Sequence, residues 1–328
     1  MLEAASPTLD TLKEPVEQRL LRVEACLADM MPAGFEALDE VGEYLLRSRG
    51  KLLRPTLLLL SNDVGGSPSK PAYGLAAIIE LMHLATLVHD DSVDHSVERR
   101  GMPTVNSRWS HQVSVIVGDY LYSRAVIEIS RFENIEAIRI LAESANQMTI
   151  GEMRQLLAYD ALGFTQDDYF ELCAAKTASL IAAACELGAM VGEPEFRPQL
   201  REFGYNFGMV FQITDDLLDY TVTSEVMGKP SGADLREHKV TLPLIAALPA
   251  LDETERSRVE QLFTDANPPD TLVQQVIEAV KARGGIEFAQ DQAVAFADRA
   301  RQSLHGLPEG EGVQRLCMAV DYVLERQR

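Results

Sequence analysis

Two short stretches of the chain set three aspartates in the same order. Asp90-Asp91-Ser92-Val93-Asp94 follows Leu87-Val88-His89, and Asp215-Asp216-Leu217-Leu218-Asp219 follows Phe211-Gln212-Ile213-Thr214. Each reads DDxxD. On a helix the first and last aspartates stand one turn apart on one face, with Cβ atoms about 5–6 Å apart. Carboxylates at that spacing repel, and no basic residue lies inside either motif to relieve them. Both motifs also end apolar stretches, Ile78 to Val88 and Phe207 to Ile213, so neither is a freely solvated acidic face. A hard divalent cation resolves the conflict. Mg²⁺ takes oxygen ligands, keeps several waters, and binds through one or two carboxylates together with substrate phosphates. A single such string carries little weight in an acidic chain, whereas its repetition carries much more. The near-copy Asp167-Asp168-Tyr169-Phe170-Glu171 reads differently. Thr165 stands three positions before Asp168, so these acids fit the first turn of a helix capped by Thr165.

Cations stand beside both motifs. Gly50-Lys51-Leu52-Leu53-Arg54-Pro55 precedes the apolar run Thr56 to Leu60 and can aim Lys51, Arg54 and backbone N–H groups at an anion. His83 lies seven residues before Asp90, two helical turns, and so shares its face. Arg99-Arg100-Gly101 follows one turn after Asp94, and two adjacent arginines in a turn can each grip a separate phosphate. Lys176-Thr177 opens an alanine-rich stretch, Lys229 lies in a Gly/Pro/Ser loop ten residues past Asp219, and Lys239 follows it. Any one of them suits a solvated helix face; together they suit a phosphorylated ligand.

The elements that must carry these residues are helical. Apolar residues recur at three- and four-residue steps, and alternating valine/isoleucine runs are absent. Turn signals such as Gly65-Gly66-Ser67-Pro68 and Asn267-Pro268-Pro269 separate segments of roughly 12 to 30 residues, suited to a large bundle. No linker or low-complexity run divides the 328 residues, so residues 1–328 are expected to form a single all-α domain. The formal net charge of −20 excludes a nucleic-acid partner, which would need a basic footprint. It does not exclude diphosphates delivered as Mg²⁺ complexes. Cys26, Cys173, Cys185 and Cys317 show no CxxC pairing and read as reduced thiols. The apolar stretch Thr177 to Cys185 is only nine residues long, and Met1 to Ala5 shows no basic leader, so no membrane span and no signal peptide are expected. A cytoplasmic location follows as the expectation.

With both aspartate motifs and these cations in view, the chain resembles the trans-type isoprenyl (polyprenyl) diphosphate synthases, of the medium- to long-chain product type. The resemblance runs from about Gly50 to Leu244 through GKLLRP, ELMHLATLVHDDSVD, RRGMPT, GDYL, GEMRQ, KTASL, FQITDDLLD and GKPSGADLREHKVTLPL. It implies an all-α bundle around a deep central cavity, usually a homodimer, with the two aspartate motifs on opposite walls. Three Mg²⁺ ions would bind there and draw the diphosphate from an allylic substrate, farnesyl or geranylgeranyl diphosphate. Isopentenyl diphosphate would then attack the allylic carbon and lose a proton. By matching position, Asp90, Asp94 and Asp215 look like metal ligands, with Asp91, Asp216 and Asp219 supporting them. Arg99, Lys176 and Lys229 would hold the allylic diphosphate, and Lys51, Arg54, His83 and Arg100 isopentenyl diphosphate. Thr177 and Gln212 would sit near the cationic carbon, and Lys239 would add positive potential. Peripheral membrane contact for product release is also implied. Two departures stand out: Leu52 replaces a basic residue common in relatives, and His238 replaces a common glycine.

The resemblance also bears on product length. Residues four and five before the first motif line the pocket, and here they are the small Ala85 and Thr86. A product longer than C15 is therefore expected, of the quinone side-chain class, with Phe132 a candidate for the cavity floor. Rival readings are a geranylgeranyl diphosphate synthase, a terpene cyclase, a silent subunit of a heteromeric synthase and, from another class, an HD-type phosphohydrolase built on His83, His89 and Asp90. The last leaves the second DDxxD and Arg99-Arg100 unexplained.

Overall fold

The computed structural model describes residues 7–48, 50–66, 68–157, 161–221 and 232–325. Seventeen helices follow one another among them: α1 (Leu9–Lys13), α2 (Glu17–Met30), α3 (Glu36–Arg47), α4 (Leu53–Asn62), α5 (Pro71–Val93), α6 (Val105–Arg108), α7 (His111–Ser130), α8 (Ile135–Leu156), α9 (Gln166–Cys173), α10 (Ser179–Val191), α11 (Arg197–Thr221), α12 (Ala233–Arg236), α13 (Leu242–Ala247), α14 (Glu253–Thr264), α15 (Asp270–Ala282), α16 (Gly285–Ser303) and α17 (Glu311–Glu325). The strands among the described residues are β1 (Glu98–Arg99) and β2 (Met102–Pro103), which pair as one hairpin. Helix α5 packs on α7, α10 on α4 and α11, and α11 on α16.

Helix α5 is apolar on nearly every side, with Ile78, Ile79, Leu81 and Met82 all buried, because neighbours enclose it all round. That composition bears on the expectation of no membrane span. By length and composition alone, Pro71–Val93 and the continuous helix Gln166–Val191 could cross a bilayer, with mean hydropathies of 1.5 and 1.3. Their apolar windows are 61% and 72% buried inside the protein, so the bundle core rather than lipid covers most of that surface. The uninterrupted apolar run measured from the sequence is a poorer guide than the whole helix.

Between α9 and α10 the helix widens into a π turn, Ala174–Ala178. Two glycines clamp it. A side chain on Gly208 of α11 would begin 2.5 Å from Ala178 Cα, and one on Gly151 of α8 would begin 2.8 Å from Ala175 Cβ. Both distances lie inside van der Waals contact, so glycine is required for α8 and α11 to approach the turn. Such π turns are frequent at functional sites, and this one carries Lys176 and Thr177.

The Asp167-Asp168 string behaves as a helix cap: Thr165 and Asp168 close a capping box at the start of α9. All four cysteines are free thiols.

Candidate active site

Helix α5 ends at Val93 with Asp94 as its cap, so Asp90 and Asp94 project from its last turn. Asp90 faces Lys176, Glu152, Asp94 and Arg99. Burial, reinforced by Glu152 and Asp94, pushes its carboxyl up to about 6 despite Lys176 and Arg99. Asp91 points elsewhere and accepts from Arg99 Nε at 2.8 Å. Lys176 Nζ donates to Gln155 Oε1 at 2.7 Å and pairs with Glu152, so α8 holds it beside the aspartates.

The second motif lies on α11. Asp215 is exposed, while Asp216 and Asp219 are buried. Asp216 accepts from Tyr169 Oη at 2.5 Å and Gln212 Nε2 at 2.7 Å. Burial raises its pKa, and these two hydrogen bonds work against the rise. Asp219 accepts from the backbone N–H groups of Ala233 and Asp234 at 2.9 and 3.0 Å. These bonds tie the start of α12 back onto α11. Asp234 joins the cluster, its carboxyl pushed well up by burial and by the charges of Asp216 and Asp219.

Lys239 links the two motifs. Its Nζ lies 3.3 Å from Asp94 of the first and also faces Asp234 beside the second. Burial opposes its charge, but the hydrogen bond to Glu237 and the charges of Asp94, Glu237 and Asp234 prevail and raise its pKa. His238 before it stands at φ 56°, the left-handed region that favours glycine, and is held by Asp265 O at 3.0 Å. The backbone therefore keeps the glycine-like turn although the residue is histidine.

The β hairpin separates the two adjacent arginines. Its two-residue turn, Arg100-Gly101, has both residues at positive φ, as a tight hairpin turn of this kind requires. Arg99 reaches back to Asp91, whereas Arg100 Nη1 donates to Ser48 O at 3.3 Å. Arg54, Arg100 and Arg99 all surround His83; burial and then these three charges push its imidazole well below 6.5, so it stays neutral. Burial lowers Arg54 to about 10, Arg100 adds to the drop, and buried Glu80 opposes it. Among the described residues Arg54 Nε is buried without a hydrogen-bond partner. A surplus of guanidinium groups over acceptors at this corner suits an anion. Lys51 is exposed at the mouth of the same loop. Lys229 lies outside the described residues.

Thr177 Oγ1 donates to Gln212 Oε1 at 2.6 Å, which joins the π turn to α11. Ala85 is buried in the core on α5, and Thr86 is half-buried with its hydroxyl donated to His83 O at 2.8 Å. Phe132 packs at the other end of α5, where its ring closes over Gly74. His89 does not pair with Asp90: its Nε2 lies 3.1 Å from Val115 O and 3.4 Å from Asp119, toward α7. The histidine–aspartate arrangement of a phosphohydrolase is not formed. Sequence reasoning did not single out Tyr169, Glu152, Gln155, Glu80 or Asp234. Glu152 and Gln155 lie in the GEMRQ block and Asp234 in the block beginning at Gly228, so their signal was present; Tyr169 was hidden inside a helix cap.

Residues 35–280 match the polyprenyl synthetase family. The chain belongs to that family. It is 35% identical to a short chain isoprenyl diphosphate synthase of Methanothermobacter thermautotrophicus over 97% of this chain and 98% of the relative. It is also 35% identical to an all-trans-nonaprenyl-diphosphate synthase (geranyl-diphosphate specific) of Rhodobacter capsulatus, over 95% and 96%. The structure of a polyprenyl synthase from Caulobacter crescentus, complexed with calcium and isoprenyl diphosphate, superposes with a TM-score of 0.92 at 32% identity, covering 99% of this chain and 100% of that one. As a polyprenyl synthetase the chain is a prenyltransferase that condenses isopentenyl diphosphate with an allylic diphosphate, on the all-α fold of the isoprenoid synthases.

Proposed function

We propose that the product is a long all-trans polyprenyl diphosphate of quinone side-chain length, built on farnesyl or geranylgeranyl diphosphate. The observation that carries the site assignment is Lys239, which lies against Asp94 of one aspartate motif and faces Asp234 beside the other. Asp90, Asp94 and Asp215 would hold Mg²⁺, three ions in all by analogy with the family. The donor set fits. It is rich in carboxylates, and burial raises the Asp90 carboxyl to about 6, so a cation beside it would favour the ionised form. Among the described residues no three His, Cys, Asp or Glu side chains form a closed metal site, so water and diphosphate oxygens would complete the shell. When bound, the metal neutralises the diphosphate so that it can leave.

The residues of the chain do the rest. Arg99, Lys176 and Lys229 hold the allylic diphosphate as its C1–O bond breaks. Lys51, Arg54, His83 and Arg100 hold isopentenyl diphosphate so that its double bond reaches C1. Thr177, whose hydroxyl donates to Gln212, keeps its oxygen lone pairs for the developing cation. A proton then leaves and the chain is five carbons longer. Ala85 and Thr86 leave room beneath the reacting end, and Phe132 closes the far end.

Residues 1–328 are read as one domain, since one buried core cluster runs from Leu12 to Val323. A second copy of the chain covers the apolar face formed by Val115, Ile116, Val126 and Ile127 of α7 with Ile150 and Met153 of α8, all at least 41% exposed in the single chain. The homodimer is cytoplasmic, a location that suits four free thiols, and meets membrane only peripherally, to release product. A geranylgeranyl product is the second reading, favoured by the short-chain relative.

Labelled isopentenyl diphosphate tests the assignment. Asp90→Ala and Asp215→Ala should each lower Mg²⁺-dependent incorporation by at least about a hundredfold, the scale of losing a principal electrostatic contact. Near-normal turnover in either would overturn the metal assignment.

A further inference from the structure

Tyr169 comes from the first turn of α9, directly after the Thr165–Asp168 capping box. Its side chain does something else. It is 2% exposed, and its hydroxyl meets Asp216 Oδ2 at 2.5 Å. Asp216 Oδ1 accepts from Gln212 Nε2 at 2.7 Å, and Gln212 Oε1 accepts from Thr177 Oγ1 at 2.6 Å. Four side chains from three segments thus form one unbroken chain of hydrogen bonds.

The bonds run one way, from Tyr169 and Gln212 into Asp216 and from Thr177 into Gln212. With Asp216 accepting from both sides, the Gln212 amide turns its nitrogen to Asp216 and its oxygen to Thr177. Thr177 then has to donate, because an amide oxygen only accepts. A hydroxyl has one proton, so Thr177 is left with lone pairs alone for whatever lies beyond it. Tyr169 anchors the far end by holding the carboxylate against rotation. Burial and the neighbouring Asp216 charge keep the phenol protonated.

We propose that Tyr169 is a positioning residue for prenyl transfer: through Asp216 and Gln212 it commits the Thr177 proton inward and turns the Thr177 lone pairs toward the developing cation. The inference rests on the prenyltransferase reading above. Without the Tyr169 hydroxyl, Asp216 can rotate, the amide can invert, and the Thr177 proton can swing outward against positive charge.

The test is a double-mutant cycle of wild type, Y169F, T177V and Y169F/T177V. It reads kcat, both KM values, and the unfolding midpoint by circular dichroism. Y169F should lower kcat about tenfold, the factor given by about 1.4 kcal/mol of lost transition-state stabilisation, with both KM values within about twofold. In the T177V background the same change should add nothing to the loss in kcat. A purely structural tyrosine would lower the unfolding midpoint and multiply independently with T177V; that result, or an unchanged kcat in Y169F, overturns the proposal. If Y169F does not fold at the assay temperature, the cycle is run below its unfolding midpoint, where the same loss in kcat, absent in the T177V background, is expected; an unchanged kcat or independent multiplication overturns the proposal. Absence of labelled prenyl product from the wild type would instead defeat the functional reading.

Discussion

Replacing Asp90 with asparagine removes a charge that the metal-free fold holds against burial and the nearby carboxylates of Glu152 and Asp94. The carboxyl rises from 3.8 to about 6, a net figure that already includes the attraction of Lys176 and Arg99. Two units at about 1.4 kcal/mol each give about 3 kcal/mol of destabilisation when Asp90 is ionised. The sign follows from linkage. Below 3.8 both folded and unfolded chains carry the proton and nothing is lost; the penalty grows from there and is complete above about 6. Asp90→Asn should therefore stabilise the metal-free protein at pH 8 by up to about 3 kcal/mol, or about 4 °C in Tm for a chain of this size. Near pH 4 the gain should fall below about 1 kcal/mol. The same variant should lose most of its activity and most of the Tm rise that Mg²⁺ gives the wild type. Calorimetry in chelator at both pH values makes the measurement. A variant less stable than wild type at pH 8, or a gain independent of pH, would refute the reasoning.

Other consequences are open to simple assays. Because the proton and Mg²⁺ compete for Asp90, apparent Mg²⁺ affinity should weaken up to about tenfold per pH unit below about 6 and level off above it, as calorimetric titration would show. Glu80→Gln leaves Arg54 and Arg100 without their buried counter-charge and should cost about 3 kcal/mol in denaturant unfolding, with a higher KM for isopentenyl diphosphate but not for the allylic primer. Ala85→Phe should shorten the product, read by reversed-phase separation, together with about 1–3 kcal/mol of overpacking strain. Ile116→Asp should yield monomer in sedimentation, since Ile116 is 59% exposed on the α7 face; an unchanged sedimentation coefficient would place the interface elsewhere or remove it.

The helical class was legible because a bundle writes its core as three- and four-residue steps. The repeated DDxxD was legible because like charges at that spacing need a cation. The distribution of Arg99 and Arg100 could be sensed as two adjacent charges in a turn, but their divergence needed the positive φ of Arg100 in the hairpin. The π turn left no local signature: it depends on Gly151 and Gly208, which stand on other helices far along the chain. Tyr169 was invisible for a related reason. Local capping accounts for its neighbours, while its partner Asp216 lies 47 residues away and meets it only through tertiary packing. His238 ran the other way: sequence comparison marked it as a departure, and the backbone at φ 56° absorbs it without displacing Lys239 from Asp94.

The most direct test incubates the protein with Mg²⁺, farnesyl diphosphate and labelled isopentenyl diphosphate and measures the chain length of the extracted product. Label is expected in all-trans prenyl diphosphates well past C15, and none in the presence of chelator. A dominant C15 or C20 product would contradict the product assignment, and metal-independent incorporation would contradict the roles given to Asp90, Asp94 and Asp215.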